Sequence, residues 1–251
     1  MDARRDDVRP VPRFYVDSAL QAGASCTLPE DSAHHAVHVM RLREGDEAVL
    51  FNGRGGEYAA RVASIQRLLI SLDVLQHHAI ERESPLQMAL VQGVSSSDRM
   101  DYTMRKAVEL GVASIHPVLA TRSVARPKGE RADSRRAHWQ KVAISACEQC
   151  GRNKIPEVHP LTSVTDYLRE SRPDAFRILL SPRSELRLSK AVEGKTSFVL
   201  AAGPEAGFDA DEEAAFASAG FTPLKLGARV LRTETAALAA LAALSALRGD
   251  F

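Results

Sequence analysis

The hydrophobic pattern of this chain changes once, near the charged segment Glu81–Pro85, and that change limits the fold more than any single motif. Before it, apolar runs are short and separated by turn residues such as Asn52-Gly53 and Gly55-Gly56, a pattern typical of a small β-rich domain. After it, short apolar runs alternate with long helical stretches, which indicates an α/β domain. We therefore predict domains at residues 13–80 and 85–251, after a mobile polar lead at residues 1–12.

Periodicity places the elements within these two domains. In the first domain it predicts a helix over Asp31–Met40 and strands at Phe14–Val16, Ala48–Phe51, Glu57–Ile65 and Leu68–Leu75. In the second domain it predicts strands at Leu86–Val91, Ser114–Val118, Phe176–Leu180, Ser197–Ala201 and Thr222–Leu226. Helices are predicted at Arg99–Leu110, Arg135–Cys150, Val164–Arg169, Asp209–Ala219 and Thr235–Leu247. The last of these is rich in Ala and Leu, so we expect it in the core or at a subunit interface.

The composition excludes several classes of protein. Lys and Arg number 33 against 32 Asp and Glu, and 45% of the residues are hydrophobic, as in an ordinary globular protein. Three cysteines are too few for a disulfide framework and favour a reducing compartment. The chain starts without an apolar signal region and contains no apolar run long enough for a membrane helix. We predict a cytoplasmic protein that makes no membrane contact.

The residues that could bind a metal do not form a recognisable site. His34 and His38 have the helical spacing that zinc ligands use, but no third ligand is nearby. Cys147 and Cys150 lack a second pair and fall late in a predicted helix. We therefore predict no bound metal.

A glycine-bracketed loop follows one of the predicted strands. Phe198–Ala202 leads into Gly203-Pro204-Glu205-Ala206-Gly207, after which Asp209 can cap a helix with Glu212 three residues on. Glycines at the carboxyl end of a strand let backbone amides approach a ligand. An ordinary strand-to-helix turn remains the alternative.

A second strand end carries an unusual concentration of charge. Gly227 ends the predicted strand, and Arg229, Arg232 and Glu234 lie between it and the next helix. Threonines 233 and 235 are explained as candidate helix caps, but the two arginines are not. Charged residues packed into such a junction usually have a partner or a function.

These segments together resemble one family. With RKAVELGV at 105–112, ACEQCGR at 146–152 and the N-terminal HHAVHVMRLREGD and FNGRGGEYAARV, they are similar to the RsmE family of small-subunit ribosomal RNA uracil-N3 methyltransferases, from Arg13 to the C-terminus. The resemblance implies an α/β protein with an N-terminal PUA-like β-barrel domain, a C-terminal SPOUT domain with a trefoil knot, and a homodimer. One departure is Ala206, where the family loop usually has glycine. A positive φ there would cost alanine about 1 kcal/mol.

The resemblance also implies a cofactor and a substrate. S-adenosyl-L-methionine (SAM) would donate a methyl group to N3 of a specific uridine in the 16S rRNA of the small ribosomal subunit. The residues expected to bind the cofactor lie in three strand-end loops: Leu180, Ser181, Pro182, Leu200, Gly203, Pro204, Glu205, Gly207, Leu226, Gly227, Val230, Leu231, Arg232, Thr233 and Ala236.

Methylation at uracil N3 sets requirements for the catalytic residues. The N3 proton must leave before nitrogen can attack, so the site needs a base and groups that stabilise the anion over O2 and O4. Arg229 and Arg232 are candidates for the anion, and Glu234 or Glu205 for the base. The alternatives are methylation of another RNA or of a ribose 2′-hydroxyl, and an inactive ribosome-binding assembly factor, which only Ala206 would favour.

Charge is unevenly distributed along the chain despite the near-neutral total. Residues 121–154 hold nine basic and three acidic residues, an excess of six positive charges. Such a patch suits RNA phosphates, and a solvated helical face is the alternative. The residues predicted to contact RNA are Arg13, Arg41, Arg43, Arg54, Arg122, Arg126, Lys128, Arg135, Arg136 and Arg152.

Overall fold

The structure, a computed structural model, describes residues 11–67, 69–170 and 174–251. Its backbone separates into two compact units. The N-terminal unit extends to Arg82 and also includes Glu148–Lys154, and the C-terminal unit comprises Glu83–Cys147 and Ile155–Phe251. The division falls inside the predicted boundary segment, but the sequence did not indicate that residues 148–154 join the N-terminal unit. The predicted lead lies outside the described residues except for positions 11 and 12.

The N-terminal unit is a five-stranded sheet with one helix. Its elements are β1 (Arg13–Tyr15), β2 (Ser25–Thr27), α1 (Glu30–His38), β3 (Glu47–Phe51), β4 (Glu57–Gln66) and β5 (Leu69–His78). The strand order is β1-β3-β4-β5-β2, with β1 parallel to β3 and the other pairs antiparallel. Alternate residues of β4 and β5 face a core that includes Val62, Ile70 and Leu72. Strand β2 was not predicted, because three half-exposed residues carry no periodic signal.

A charged cluster lies within the N-terminal unit. We refer to it as the paired cluster, and it is formed by Arg13, Glu57, Arg82 and Asn153. Glu57 Oε2 lies 2.5 Å from Arg13 Nη1 and 2.9 Å from Arg82 Nη1. Asn153 Oδ1 accepts a hydrogen bond of 2.6 Å from Arg13. Burial alone would raise the pKa of Glu57, but hydrogen bonds from Arg82 and Arg13 outweigh it and lower that pKa from 4.5 to about 2. The cluster holds residues 148–154 on the N-terminal sheet.

The C-terminal unit is built on a parallel sheet. Its strands are β6 (Gln87–Gly93), β7 (Ser114–Leu119), β8 (Glu157–Val158), β9 (Thr162–Ser163), β10 (Phe176–Leu180), β11 (Ser197–Ala202) and β12 (Thr222–Leu224). Its helices are α2 (Ser97–Glu109), α3 (Glu130–Cys150), whose last three residues belong to the N-terminal unit, α4 (Val164–Arg169), α5 (Leu188–Ala191), α6 (Ala210–Ser218) and α7 (Thr233–Arg248). All five predicted strands and all five predicted helices of this domain are confirmed. Phe176–Leu180 and Val164–Arg169 keep their predicted ends, and the others are shifted at one or both ends. The short β8, β9 and α5 were missed.

The strand order of this sheet brings three strand ends together. The order is β12-β10-β11-β6-β7-β8, and the pairs are parallel. The carboxyl ends of β12, β10 and β11 are therefore neighbours, so the loops that follow them meet at one edge. This edge is where open α/β sheets bind ligands. Within the described part of the chain, no helix combines the length and apolar character needed to cross a membrane.

Candidate active site

A cleft of about 230 Å³, partly open to solvent, lies at the carboxyl ends of β10, β11 and β12. The predicted cofactor residues that line it are Leu180, Ser181, Pro182, Gly203, Pro204, Glu205, Gly207, Leu226, Gly227, Val230, Leu231, Thr233 and Ala236. The structure thus brings together residues from all three predicted loops.

A few positions around the cleft differ from those predicted. Leu200 is buried inside β11 and does not line the cleft, and Arg232 is exposed at the N-cap of α7. The lining residues that sequence reasoning missed are Ala202, Ala206, Leu224 and Lys225. Each adjoins a predicted segment, so extending those segments by one or two residues would have included them.

The main chain of residues 226–231 is open to a ligand. Its N–H and C=O groups make no hydrogen bond with any other described residue, although the loop borders the cleft. Main-chain polar groups are almost always paired when they are removed from water. A ligand with donors and acceptors of its own, such as an adenine ring, would satisfy these groups between apolar walls. The cleft therefore fits the cofactor that the family resemblance implies.

The glycine loop between β11 and α6 is packed too tightly for a side chain at its first position. A Cβ on Gly203 would lie 2.8 Å from the backbone nitrogen of Phe208. Gly207 has a φ of +71°, a conformation that glycine adopts easily. Among the described residues, positive φ outside glycine occurs only at Arg41 and Arg67, so Ala206 is not strained. The cost of about 1 kcal/mol that a positive φ would impose on alanine is therefore absent at Ala206.

The start of α6 follows the sequence prediction. Asp209 Oδ1 accepts a hydrogen bond of 2.8 Å from Glu212 N–H, and Glu212 Oε2 accepts one of 3.0 Å from Asp209 N–H. These reciprocal bonds are a capping box. They fix where the glycine loop ends.

Two candidate bases share one arginine. Arg99 Nη1 lies 3.3 Å from Glu205 Oε1, and Arg99 Nε lies 3.9 Å from Glu234 Oε1. The second oxygen of each carboxylate, Oε2, is buried with no hydrogen-bond partner among the described residues. We refer to Arg99, Glu205 and Glu234 as the under-paired cluster. The sequence placed Arg99 at a helix start and gave no signal for this role.

The electrostatics of Glu205 bear on its catalytic assignment. Burial would raise the pKa of Glu205, but a hydrogen bond of 2.8 Å from Ser96 N–H and the charge of Arg99 outweigh it and lower that pKa. A carboxylate with a lowered pKa takes up a proton less readily. The lowered pKa therefore makes Glu205 a weaker base than an ordinary glutamate.

The two candidate arginines for the uracil anion are both exposed. Arg229 lines the cleft, and Arg232 lies three residues further on, directly before α7. Within the described part of the chain neither forms an ion pair. Both guanidinium groups are therefore available to an anionic ligand.

Several basic residues of the predicted RNA patch lie on the C-terminal unit and are anchored by hydrogen bonds. Arg122 donates to Ala206 O (3.2 Å), Arg126 to Ala120 O (2.9 Å), Arg135 to Ser97 Oγ (2.7 Å) and Arg136 to Val158 O (2.8 Å). Lys128 is exposed and lines a wide hollow with Arg126, Arg131 and Arg135. The bond from Arg122 links the patch to the glycine loop.

Two of the predicted RNA contacts in the N-terminal unit have little exposed surface. Arg13 leaves 12% of its side chain exposed beside Glu57, and Arg152 is 5% exposed. Arg41, Arg43 and Arg54 are exposed. The loop holding Arg41 and Arg43 precedes β3 and Arg54 follows it, so they lie at opposite ends of a strand about 17 Å long at 3.3 Å per residue. Their contact with RNA stays a prediction.

No metal centre was predicted, and the described residues hold no group of three or more His, Cys, Asp or Glu side chains placed to bind a metal. The rings of His34 and His38 on α1 have centroids 4.5 Å apart and planes tilted by 47°.

Comparison with known proteins identifies relatives along the whole chain. Residues 82–245 match a family model described as an RNA methyltransferase domain, and residues 28–75 match an RNA methyltransferase PUA domain. Ribosomal RNA small subunit methyltransferase E of Buchnera aphidicola is 30% identical over 97% of this chain and 96% of its own. The corresponding protein of Mycobacterium bovis is 32% identical, covering 93% of this chain and 91% of its own.

A solved structure extends the similarity to three dimensions. Ribosomal RNA small subunit methyltransferase E from Neisseria gonorrhoeae, bound to S-adenosyl methionine, is 38% identical with a TM-score of 0.89. The match covers 96% of this chain and all of that one. The two domain models, the full-length relatives and this structure agree, and the chain belongs to the ribosomal RNA small subunit methyltransferase E family.

Proposed function

We propose that this protein is an S-adenosylmethionine-dependent methyltransferase that modifies N3 of a specific uridine in 16S rRNA. The observation that carries the proposal is the cleft at the strand ends, where the unbonded main chain of residues 226–231 faces the tightly packed glycine loop. Family membership supports the reaction, and the relative from Neisseria gonorrhoeae binds the same cofactor. The inactive assembly factor loses its one supporting feature, because Ala206 has no positive φ.

The chain's own residues divide the work of methyl transfer. When bound, SAM supplies an electrophilic methyl group. Glu234 takes the N3 proton of uracil, using a carboxylate that has one oxygen without a partner among the described residues. Arg229 and Arg232 stabilise the negative charge on O2 and O4, and the cleft walls hold the reacting atoms in line.

RNA binding rests on the basic hollow of the C-terminal unit. Lys128, Arg131 and Arg135 present positive charge at its rim. Phosphate contacts from such a surface give affinity but no sequence information. The choice of uridine then depends on the shape of the RNA and on a base that leaves its stack to enter the cleft.

We also propose the knotted path and the homodimer that the family resemblance implies. Lys225 N–H donates to Leu186 O (2.9 Å), and Leu188 N–H donates to Lys225 O (3.3 Å), so the segment after β10 runs beside the segment after β12. The two segments are therefore adjacent, which a knotted path also requires. Sedimentation equilibrium tests the dimer, for which a mass near 55 kDa, about twice the 27.3 kDa of one chain, is expected.

The decisive experiment measures the modified nucleoside. Unmodified small ribosomal subunits are incubated with the protein and SAM, and the RNA is digested and examined for 3-methyluridine by mass spectrometry. Absence of 3-methyluridine, with SAM binding intact, would refute the assignment. Detection of a 2′-O-methyl nucleoside would favour methylation of a ribose 2′-hydroxyl.

A variant pair tests the catalytic role of Arg232. Arg232→Ala should reduce methyl transfer far more than SAM affinity, because this exposed side chain does not line the cofactor cleft. Arg169→Ala, at an exposed arginine outside the cleft, serves as the matched control. Equal losses of transfer and SAM affinity would refute the assignment.

A further inference from the structure

Gln92 is a fully buried polar residue beside the active-site loops. It lies near the end of β6 with no exposed surface, and it is followed by Gly93. A Cβ on Gly93 would lie 2.5 Å from Pro204 Cδ, so this end of β6 abuts the glycine loop directly. The position of Gln92 is therefore fixed relative to that loop.

A chain of hydrogen bonds leads from Gln92 to the glycine loop. Gln92 Nε2 donates to Thr233 Oγ1 at 3.0 Å, and Thr233 Oγ1 donates to the carbonyl of Gly203 at 2.5 Å. Thr233 is the first residue of α7, and Gly203 is the first of the glycine loop. The Gln92 amide thus joins the two loops that form facing walls of the cleft.

Stability alone does not account for a glutamine at this position. Its Nε2 has two acceptors, Thr233 Oγ1 and Gly93 O, but Oε1 is buried with no partner among the described residues. A buried acceptor without a partner destabilises a fold. Residues that break such rules concentrate at functional sites.

We propose that Gln92 is a positioning residue for methyl transfer. Acting through the Thr233 hydroxyl, it sets the Gly203 carbonyl and the start of α7 so that the bound methyl group lies in line with uracil N3. The inference rests on the proposed function. Small displacements of reacting groups cost large factors in rate, up to about a hundredfold for 1 Å.

The test uses near-isosteric variants in the full-length protein. Gln92→Leu removes the amide, and Thr233→Val removes the hydroxyl. Each should lower kcat about tenfold at saturating SAM and RNA, with the Kd for SAM changing less than about threefold. Thr233→Ser keeps the hydroxyl and should retain kcat within about twofold. Ser245→Ala is the control, because Ser245 Oγ is also buried in α7 and has no partner among the described residues.

Two further measurements separate positioning from a structural role. Gln92→Leu should be folded and bind SAM at the assay temperature, as Ser245→Ala does, although it is slower in catalysis. In the double variant that combines Gln92→Leu with Thr233→Val, the loss of kcat should not exceed that of the more impaired single variant, because both side chains act on the Gly203 carbonyl.

The inference is overturned if Gln92→Leu keeps the kcat of the control, if the losses multiply in the double variant, or if kcat falls only together with Tm. Should Gln92→Leu fail to fold, the comparison of Thr233→Val with Thr233→Ser decides. Failure of the proposed function gives a different result, because the unaltered protein would then form no 3-methyluridine.

Discussion

The two units each contain carboxylates bound to arginine, but the degree of pairing differs. In the N-terminal unit, Glu57 contacts two arginines, Arg13 and Arg82. In the C-terminal unit, Glu205 and Glu234 share Arg99, and each keeps one buried oxygen without a partner among the described residues. Buried polar atoms are nearly always paired in a stable fold. Arg13 Nε in the first cluster is also buried without a partner among the described residues, but both carboxylate oxygens of Glu57 accept hydrogen bonds from arginines. The difference between the carboxylates indicates that Glu57 stabilises structure, whereas Glu205 and Glu234 retain the capacity to bind a proton or a ligand.

The largest effect is expected from breaking the paired cluster. Glu57→Gln removes the negative charge between Arg13 and Arg82 and should lower the free energy of unfolding by about 2 to 3 kcal/mol, less than for a fully buried pair because 44% of the Arg82 side chain is exposed. Urea denaturation of the full-length protein measures it. Glu47→Gln, at an exposed position on β3, is the control. A loss below about 1 kcal/mol would show that the cluster is not structural.

The pH dependence of stability tests the same cluster without removing its side chain. The pKa of Glu57 is about 2 in the folded protein against an ordinary value of 4.5. A lowered folded pKa stabilises the protein above pH 4.5, and that contribution, about 3 kcal/mol, is lost as the pH falls from about 4.5 to 2.

Urea titrations across this window should therefore show a steeper loss for the unaltered protein than for Glu57→Gln. The comparison is made at matched ionic strength, because salt screens the surrounding charges. Parallel curves would contradict the lowered pKa of Glu57.

The under-paired cluster should respond in activity more than in stability. Arg99→Met removes the cation shared by Glu205 and Glu234 and should lower kcat about tenfold, less than the ~10²–10³ for a donor that contacts the reacting atoms, because Arg99 acts through the two carboxylates. The free energy of unfolding should change by less than about 1 kcal/mol, because Arg99 is partly exposed. Arg105→Met, an exposed arginine on the same helix, is the control.

The same variant predicts a change in the titration of Glu205. Arg99 helps to lower the pKa of Glu205, so its removal should raise that pKa, which an NMR titration of the Glu205 carboxyl carbon measures. A shift to a lower pKa, or a loss of stability as large as that of Glu57→Gln, would contradict the distinction between the clusters.

The sequence predicted the C-terminal unit well because its signals are local. The strand, glycine loop and capped helix around Gly203 and Asp209 each follow from neighbouring residues, and the family resemblance brought their loops together. The β12 prediction was too long, because Lys225 leaves the sheet to pair with Arg187.

The missed features depend on contacts between residues distant in the chain. Arg99 meets Glu205 and Glu234, and Arg13 meets Asn153, through folding alone, so composition and periodicity cannot reveal these pairs. For the same reason we predicted Arg13 as an RNA contact, because the sequence does not show that its side chain lies against the carboxylate of Glu57. Charge counts locate basic segments but not the partners that neutralise them.

The smallest effect is expected from Ala206→Gly, which restores the residue usual in the family loop. Ala206 is not among the described residues with positive φ, so glycine relieves no strain, and the SAM Kd and kcat should stay within about twofold. Stability should fall by about 0.4 to 1 kcal/mol, because glycine is freer in the unfolded chain. Isothermal titration calorimetry and thermal unfolding measure the two quantities.

A small effect of Ala206→Gly would show that binding in the cleft does not depend on the Ala206 side chain and would leave the role of the under-paired cluster unchanged. The Ala206 carbonyl accepts a hydrogen bond of 3.2 Å from Arg122, so the loop is held here through its main chain, which the substitution preserves. A tenfold gain in SAM affinity would instead mean that the Ala206 methyl group obstructs the cleft. In that case the Ala206 side chain, and not only the unpaired carboxylate oxygens, would determine how well the cleft binds its ligand.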